Sequence, residues 1–68
     1  MAIKIQINGK EENIPDKISI SDLLETKGIR QEVVTIEVNG QIIEKKQYPQ
    51  ITIKEGDIIE FIFYMGGG

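Results

Sequence analysis

The stretch Ile58-Ile59-Glu60-Phe61-Ile62-Phe63-Tyr64, residues 58–64, is the most apolar run of the 68-residue chain, and it decides the fold. β-Branched and aromatic side chains favour a strand, and Glu60 is the only charged residue in the run. Successive side chains of a strand point to opposite faces. One face therefore carries Ile59, Phe61 and Phe63, whereas the other carries Ile58, Glu60, Ile62 and Tyr64. Because Glu60 marks the second face as the solvent side, we predict a strand with one buried face.

The first residues of the chain show the same pattern. Ile3, Ile5 and Ile7 alternate with Lys4 and Gln6, which is the period-2 signature of a strand with one buried face. The first and last strands are the most hydrophobic, so we predict that they lie side by side in the middle of a sheet, covered by a helix. Their parallel pairing requires a long crossover connection, and the intervening residues supply it.

The only convincing helix in the sequence begins near Ser19 or Ser21 and ends at Gly28, a natural C-terminal stop. Its apolar residues lie at i, i+3 and i+4, and therefore on one face: Ile20, Leu23 and Leu24. Glu25 follows Ser21 by four residues, so the capping-box spacing of three is not met. Asp22, three residues after Ser19, gives only a weak variant of that box.

Two Asn-Gly pairs, Asn8-Gly9 and Asn39-Gly40, are strong signals for hairpin turns. They join predicted strands 3–7 and 10–14, and predicted strands 33–38 and 41–43. Ile51 and Ile53 form a further short strand-like pair. The order β-β-α-β-β-β predicts an α+β domain of the ubiquitin-like β-grasp fold, with a mixed four- to five-stranded sheet packed on one main helix. We assign residues 1–65 to this domain and residues 66–68 to a flexible glycine tail.

The composition excludes several classes of function. The chain has no Cys and no His, so disulfides, thiolate or imidazole metal ligands and the commonest general base are missing. We therefore expect neither a metal site nor an autonomous enzyme. The net charge of -3 argues against nucleic-acid binding, which needs a basic face. No apolar run reaches the roughly 18 residues of a membrane span, and no signal peptide is evident, so we expect a cytoplasmic protein without membrane contact.

The sequence ends in Gly66-Gly67-Gly68, directly after the apolar strand and Met65. Such glycines are often a frayed end without a function. A carrier protein, however, needs a rigid base and a tip without side chains, because glycines can enter a narrow channel and allow another backbone to approach closely. A carboxylate becomes a good acyl donor once ATP converts it to an acyl-adenylate. A sulfur nucleophile or a lysine amine could then attack it, with the catalytic residues supplied by partners.

Two stretches resemble the ThiS family of sulfur carriers, and together with the order of elements the resemblance covers essentially the whole chain. Residues 34–48, VTIEVNGQIIEKKQY, are similar to the family's succession of a strand, Asn-Gly, a short apolar strand, basic residues and an aromatic. Residues 55–68, EGDIIEFIFYMGGG, match its spacing from Gly-Asp to Gly-Gly. Lys45-Lys46 is a departure, because ThiS proteins often have Pro-Arg there. MoaD-like carriers are less similar, since they are generally longer and tend to carry prolines before the glycines.

The resemblance implies a sulfur carrier protein of thiamine (thiazole) biosynthesis. A ThiF-like adenylyltransferase would use ATP to adenylate the carboxylate of Gly68, and a persulfide from a cysteine desulfurase or another donor would convert it to a thiocarboxylate. A ThiG-like thiazole synthase would then take the sulfur. Gly66 and Gly67 would thread the tail into these partners. The carrier itself would bind no cofactor.

We expect the partners to dock on the solvent side of the last strand, close to the tail. Ile58, Ile62 and Tyr64 form an exposed apolar patch on the predicted alternation, and such patches mark interfaces. Met65 belongs either to this contact or to the core. Alternatively, the patch packs beneath the loop 44–48. Three acidic residues could steer a basic partner or serve only solubility: Glu55, Asp57 and Glu60.

The sequence is also compatible with three other functions. A MoaD-like small subunit of molybdopterin synthase would pass its sulfur to a pterin. A ubiquitin-like protein modifier would share the activation step but would form an isopeptide bond with a protein. A plain β-grasp binding module would not need the terminal glycines, so that deletion of Gly67 and Gly68 would leave its function intact.

Overall fold

The computed structural model describes residues 1–64. Within this range lie five strands, β1 (Ala2–Ile7), β2 (Lys10–Pro15), β3 (Val34–Val38), β4 (Gln41–Ile43) and β5 (Ile58–Phe63). One α-helix, α1 (Ile20–Thr26), and two 3₁₀ turns, Gln31–Val33 and Lys45–Gln47, connect the strands. The residues predicted to form the tail, Gly66, Gly67 and Gly68, lie outside the described range, as do Met65 and the predicted domain boundary.

The five strands form a mixed sheet in the order β2-β1-β5-β3-β4. β5 is central, as predicted, and it runs parallel to β1 and antiparallel to β3. The predicted β-grasp order of elements is confirmed, with five strands. The strand-like pair of Ile51 and Ile53 was predicted wrongly, because Thr52 between them makes only an isolated bridge to Ser19.

Both Asn-Gly hairpin turns are anchored to β5. Asn8 and Asn39 have φ angles of 50° and 53°, and each is followed by a glycine with positive φ, as a type I′ turn requires. Asn8 Oδ1 accepts a hydrogen bond of 2.8 Å from the backbone N–H of Phe61, and Asn39 Oδ1 accepts one of 2.9 Å from that of Ile58. The two turns therefore fix the position of β5 as well as the register of their own hairpins.

Helix α1 has a complete capping box between Ser19 and Asp22, where the sequence predicts only a weak variant. The hydroxyl of Ser19 accepts from the N–H of Asp22 at 3.0 Å, and the Asp22 carboxylate accepts from the N–H of Ser19 at 2.9 Å. Aspartate replaces the usual Glu or Gln because its shorter side chain still reaches the N-cap amide. The helix ends at Thr26 with Lys27 as its C-cap, and Gly28, the predicted C-terminal stop, follows with a φ of 70°. No helix within residues 1–64 is long and apolar enough to cross a membrane.

The core lies between α1 and one face of the sheet. The helix contributes Ile20, Leu23 and Leu24, and the strands contribute buried residues that include Ile5, Ile36 and Ile59. Phe63, which was predicted to lie on the buried face with Ile59 and Phe61, is instead 47% exposed. The reason is that β1 pairs only with Ile58 and Ile59, so the second half of β5 has a neighbouring strand on one side alone.

Candidate functional site

The solvent side of β5 is an open sheet face that carries large apolar side chains. Cross-strand register places Thr35 opposite Ile62, Glu37 opposite Glu60, and Ile42 opposite Glu37. We define the open face as Thr35, Glu37, Ile42, Ile58, Glu60, Ile62 and Tyr64. Its apolar members are between 45% and 68% exposed. The predicted exposure of Ile58, Ile62 and Tyr64 is therefore confirmed, whereas their role in partner binding stays a prediction.

An acidic pair lies in the middle of this apolar surface. Glu37 on β3 and Glu60 on β5 are direct cross-strand neighbours. Together with Asn39, Gly40 and Ile58 they line an open depression of about 360 Å³. Like charges in this arrangement repel each other. Among residues 1–64, the ion pairs involve Asp16, Glu12 and Glu44, so neither member of the acidic pair is matched by a cation there.

The other two acidic residues considered for steering have structural partners. Glu55 Oε1 accepts a hydrogen bond of 3.2 Å from the backbone N–H of Lys4. Asp57 accepts from the N–H of Lys54 at 2.8 Å and from the side-chain amide of Asn39 at 3.0 Å. Both carboxylates therefore stabilise the turn before β5, and their role in steering a partner stays a prediction.

At the far end of the open face, contacts from two other elements hold the side chain of Tyr64. The Thr35 hydroxyl donates to the Tyr64 hydroxyl oxygen at 3.0 Å. Lys45 Nζ donates to the same oxygen at 3.4 Å and lies 5.3 Å from the centre of the Tyr64 ring. Lys45 Nζ also donates to the carbonyl of Val34 at 3.1 Å. We call this set of contacts the Tyr64 clamp.

The clamp changes the acidity of the phenol. The hydrogen bond from Thr35, the hydrogen bond from Lys45 and the positive charge of Lys45 together lower the pKa of Tyr64 below its ordinary value. Each of these favours the phenolate because it directs a donor or a positive charge at the oxygen. The alternative prediction was that the patch packs beneath the loop 44–48. It is confirmed in part, because Lys45 of that loop contacts Tyr64, although Tyr64 stays more than half exposed.

A second depression, of about 490 Å³, lies beside the clamp. It is lined by Thr35, Ile42, Ile43, Glu44, Lys45, Lys46, Tyr48 and Tyr64. Lys46 Nζ pairs with Glu44 Oε1 at 3.6 Å. The open face thus has an acidic centre and apolar side chains around it, and the ammonium group of Lys45 lies against Tyr64, its last described residue.

Thr35 and Glu37 on this face, and Lys45 beside it, are site residues that the sequence did not indicate. Alternation within the predicted strand 33–38 directs Thr35 and Glu37 outward, so the β3–β5 register would have identified them. The Lys45 contact joins residues 19 positions apart through a 3₁₀ turn, and no local pattern signals it. No three acidic side chains within residues 1–64 come together as a metal site would require. Gly66, Gly67, Gly68 and Met65, also predicted as site residues, lie outside the described range.

Comparison with known proteins relates the chain to sulfur carriers. A sequence profile described as the ThiS family matches residues 2–68. The sulfur carrier protein ThiS of Bacillus subtilis (strain 168) is 34% identical over 65 residues, which cover 94% of this chain and 98% of that protein. A crystal structure of the thiamine biosynthesis protein ThiS from Geobacter metallireducens superposes with a TM-score of 0.84 at 33% identity, covering 97% of this chain and 100% of the other.

The chain is also similar to part of a larger protein. A thiazole synthase of Paramagnetospirillum magneticum is 33% identical over 66 residues, which are 97% of this chain and 20% of that protein. The chain therefore spans about a fifth of the length of this relative. A second thiazole synthase, from Magnetococcus marinus, shows the same coverage at 30% identity.

Proposed function

Because the chain belongs to the ThiS family, we propose that it is a sulfur carrier protein of thiamine biosynthesis and that its sulfur is carried on the carboxyl group of Gly68. The observation that carries this proposal is the match to a sulfur carrier along nearly the full length of both chains. The structural likeness to a thiamine biosynthesis protein supports the same conclusion, because it extends over the whole β-grasp domain.

The chemistry proceeds in two steps that a carboxylate cannot carry out unaided. The carboxylate of Gly68 attacks the α-phosphorus of ATP and releases pyrophosphate, which yields an acyl-adenylate. Sulfide then attacks the acyl carbon, and AMP leaves with the C–O bonding pair, so that a thiocarboxylate remains. If a persulfide is the donor, its terminal sulfur attacks and a thiol reductant cleaves the resulting disulfide. The chain contains no Cys or His, so we assign the catalytic groups of both steps to partners.

We propose three partners for this cycle. A ThiF-like adenylyltransferase activates Gly68, a cysteine desulfurase or another persulfide donor supplies the sulfur, and a ThiG-like thiazole synthase accepts it. The two thiazole synthases that contain a region similar to this chain support the last assignment, since the similarity covers 97% of this chain in each of them.

We propose the open face as the surface on which these partners dock. It presents Ile58 and Ile62 on β5 and Tyr64 directly after it, and the sequence continues from there to Gly66 and Gly67. An enzyme that binds this face contacts the chain at Tyr64, four residues before the carboxyl group of Gly68. Ordering three glycines costs roughly 3–6 kcal/mol of backbone entropy, and binding of the apolar face would offset it.

The proposal is tested by intact-mass spectrometry after incubation with ATP, a ThiF-like enzyme and sulfide. We expect a mass gain equal to the replacement of one oxygen by one sulfur, and no gain in a variant that lacks Gly67 and Gly68. The activating enzyme must be shown to be active on its own carrier. With that control in place, an unchanged mass would contradict the proposal. Conjugates with other proteins would instead indicate a ubiquitin-like modifier.

A further inference from the structure

We propose that Lys45 is a positioning residue, which holds Tyr64 so that the chain leaves β5 in the direction required to deliver Gly68 to the reactive centre of a partner. The inference rests on the proposed function, because it concerns how the carrier presents its carboxyl group. It adds a role for one lysine that lies on a different element from both the tail and β5.

Within residues 1–64, the backbone of Tyr64 is the last point at which the sheet holds the chain. Phe63 is the last residue of β5, and it pairs with Val34 of β3. The N–H of Tyr64 donates one further hydrogen bond of 3.1 Å to the carbonyl of Val33. On the other side, β1 stops pairing at Ile59, so none of the five described strands holds Tyr64 there.

The side chain of Tyr64 supplies the missing restraint through the clamp. Lys45 Nζ donates simultaneously to the Val34 carbonyl and the Tyr64 hydroxyl, and it lies over the ring. A single ammonium group thereby ties β3, the second 3₁₀ turn and the residue after β5 together. Because Tyr64 is 56% exposed, burial alone does not fix the orientation of its ring. The contacts with Lys45 and Thr35 do so.

The clamp matters because of the distance that the tail must span. Four residues follow Tyr64 in the sequence, and fully extended they reach about 14 Å at most. When a partner holds these residues extended, a small rotation at Tyr64 would move the carboxyl group by several ångströms. Acyl transfer needs the reacting atoms within about 3.5 Å of each other, and a misplacement of about 1 Å can lower a rate a hundredfold. A fixed starting direction reduces the volume that the tail must search.

Stability is a poor explanation for the clamp. Contacts of charged side chains at a protein surface contribute little to the free energy of unfolding, with a median of about 0–1 kcal/mol. The neighbouring Lys46 shows the ordinary case, since it pairs at 3.6 Å with Glu44 of the same turn. Lys45 instead contacts residues 11 and 19 positions away.

The experiment compares Lys45→Met with Lys46→Met in sulfur loading by a ThiF-like enzyme. Both variants lose one positive charge and keep a long apolar side chain, but only the first removes the clamp. We expect Lys45→Met to lower kcat about tenfold or more with KM unchanged, because the docking face is retained and only delivery of Gly68 is impaired. Lys46→Met should match the wild type. Lys45→Arg should restore most of the rate, because a guanidinium can also donate and stack on the ring.

A second variant controls for a general loss of structure in Lys45→Met. Tyr64→Phe keeps the ring beneath Lys45 and removes only the two hydrogen bonds to the hydroxyl, so a smaller loss of kcat is expected at an unchanged unfolding temperature. Loading of Lys45→Met at the wild-type rate would overturn the inference and leave the proposed function intact. A change confined to KM would also overturn it, since it would assign Lys45 to docking. Failure of the wild-type chain to accept sulfur would overturn the proposed function itself.

Discussion

Ile58 and Ile59 are neighbours in the chain with identical side chains, yet they lie on opposite faces of the central strand. Ile59 is fully buried against α1, whereas Ile58 is 49% exposed on the open face. The same contrast continues along β5, where Phe61 is buried and Ile62 is exposed. One strand thus contributes to the core with one face and offers an apolar surface with the other. Substitutions on the first face should affect folding, and substitutions on the second should affect partners.

The largest effect is expected from truncating a side chain on the buried face. Ile59→Ala should lower the free energy of unfolding by about 3 kcal/mol, because it removes a fully buried side chain and leaves a cavity. Ile58→Ala should lower it by less than about 1 kcal/mol. Urea unfolding of the two variants measures the difference. Equal losses would contradict the division between the two faces.

The reciprocal variant places a charge on the open face. Ile62→Asp should leave the free energy of unfolding within about 1 kcal/mol of the wild type. Its affinity for a ThiF-like enzyme should fall about tenfold or more, because the carboxylate must be desolvated in an apolar contact. Titration calorimetry measures this affinity. The matched control is Asn13→Asp, which adds the same charge on the exposed outer strand β2 and should bind normally. Normal binding by Ile62→Asp would exclude this face as the docking surface.

The acidic pair should show opposite effects on folding and binding. Replacing Glu37 and Glu60 with glutamine should raise the free energy of unfolding by about 0.2–1 kcal/mol, because cross-strand repulsion is removed. The same variant should associate more slowly with a ThiF-like enzyme and depend less on salt, since its steering charge is lost. Stopped-flow association at several salt concentrations tests the second effect. The matched control replaces Glu25 and Glu32 with glutamine. It changes the net charge by the same amount but away from the open face, so it should associate like the wild type.

The smallest effect is expected from titration of the clamp. Because the folded-state pKa of Tyr64 lies below its ordinary value, the folded protein releases the phenol proton at a lower pH than the unfolded chain does. The free energy of unfolding therefore gains a contribution as pH rises from the lowered pKa to about 10, and it loses that contribution as pH falls through the lowered value. Tyr64→Phe should lack it. Ultraviolet titration should show the pKa of Tyr64 rising most in Thr35→Val and also in Lys45→Met. An unchanged pKa in both variants would show that the clamp does not form in solution.

The buried face of the sheet was predictable from the sequence because it follows local rules. Alternation identified Ile5 and Ile59 as core residues, and the Asn-Gly turns located both hairpins. The central position of β5 followed from its hydrophobicity. Each of these signals depends on residues within a few positions of one another.

The parts that the sequence did not reveal depend on where strands end and how distant residues meet. Phe63 fits the alternation but is exposed, because β1 no longer pairs beside the second half of β5. The acidic pair requires the β3–β5 register, and the Lys45 contact requires the path of a 3₁₀ turn. The open face could be predicted as exposed from Glu60 alone, whereas its charges and its clamp could not.

The most direct test of the central claim is the mass of the C-terminal peptide after a loading reaction with ATP, a ThiF-like enzyme and sulfide. We expect Gly68 to gain one sulfur in place of one oxygen in the wild type, and Ile62→Asp, although folded, to gain it much more slowly. An unmodified Gly68 in the wild type, with an enzyme proven active on its own carrier, would show that this chain is not a sulfur carrier.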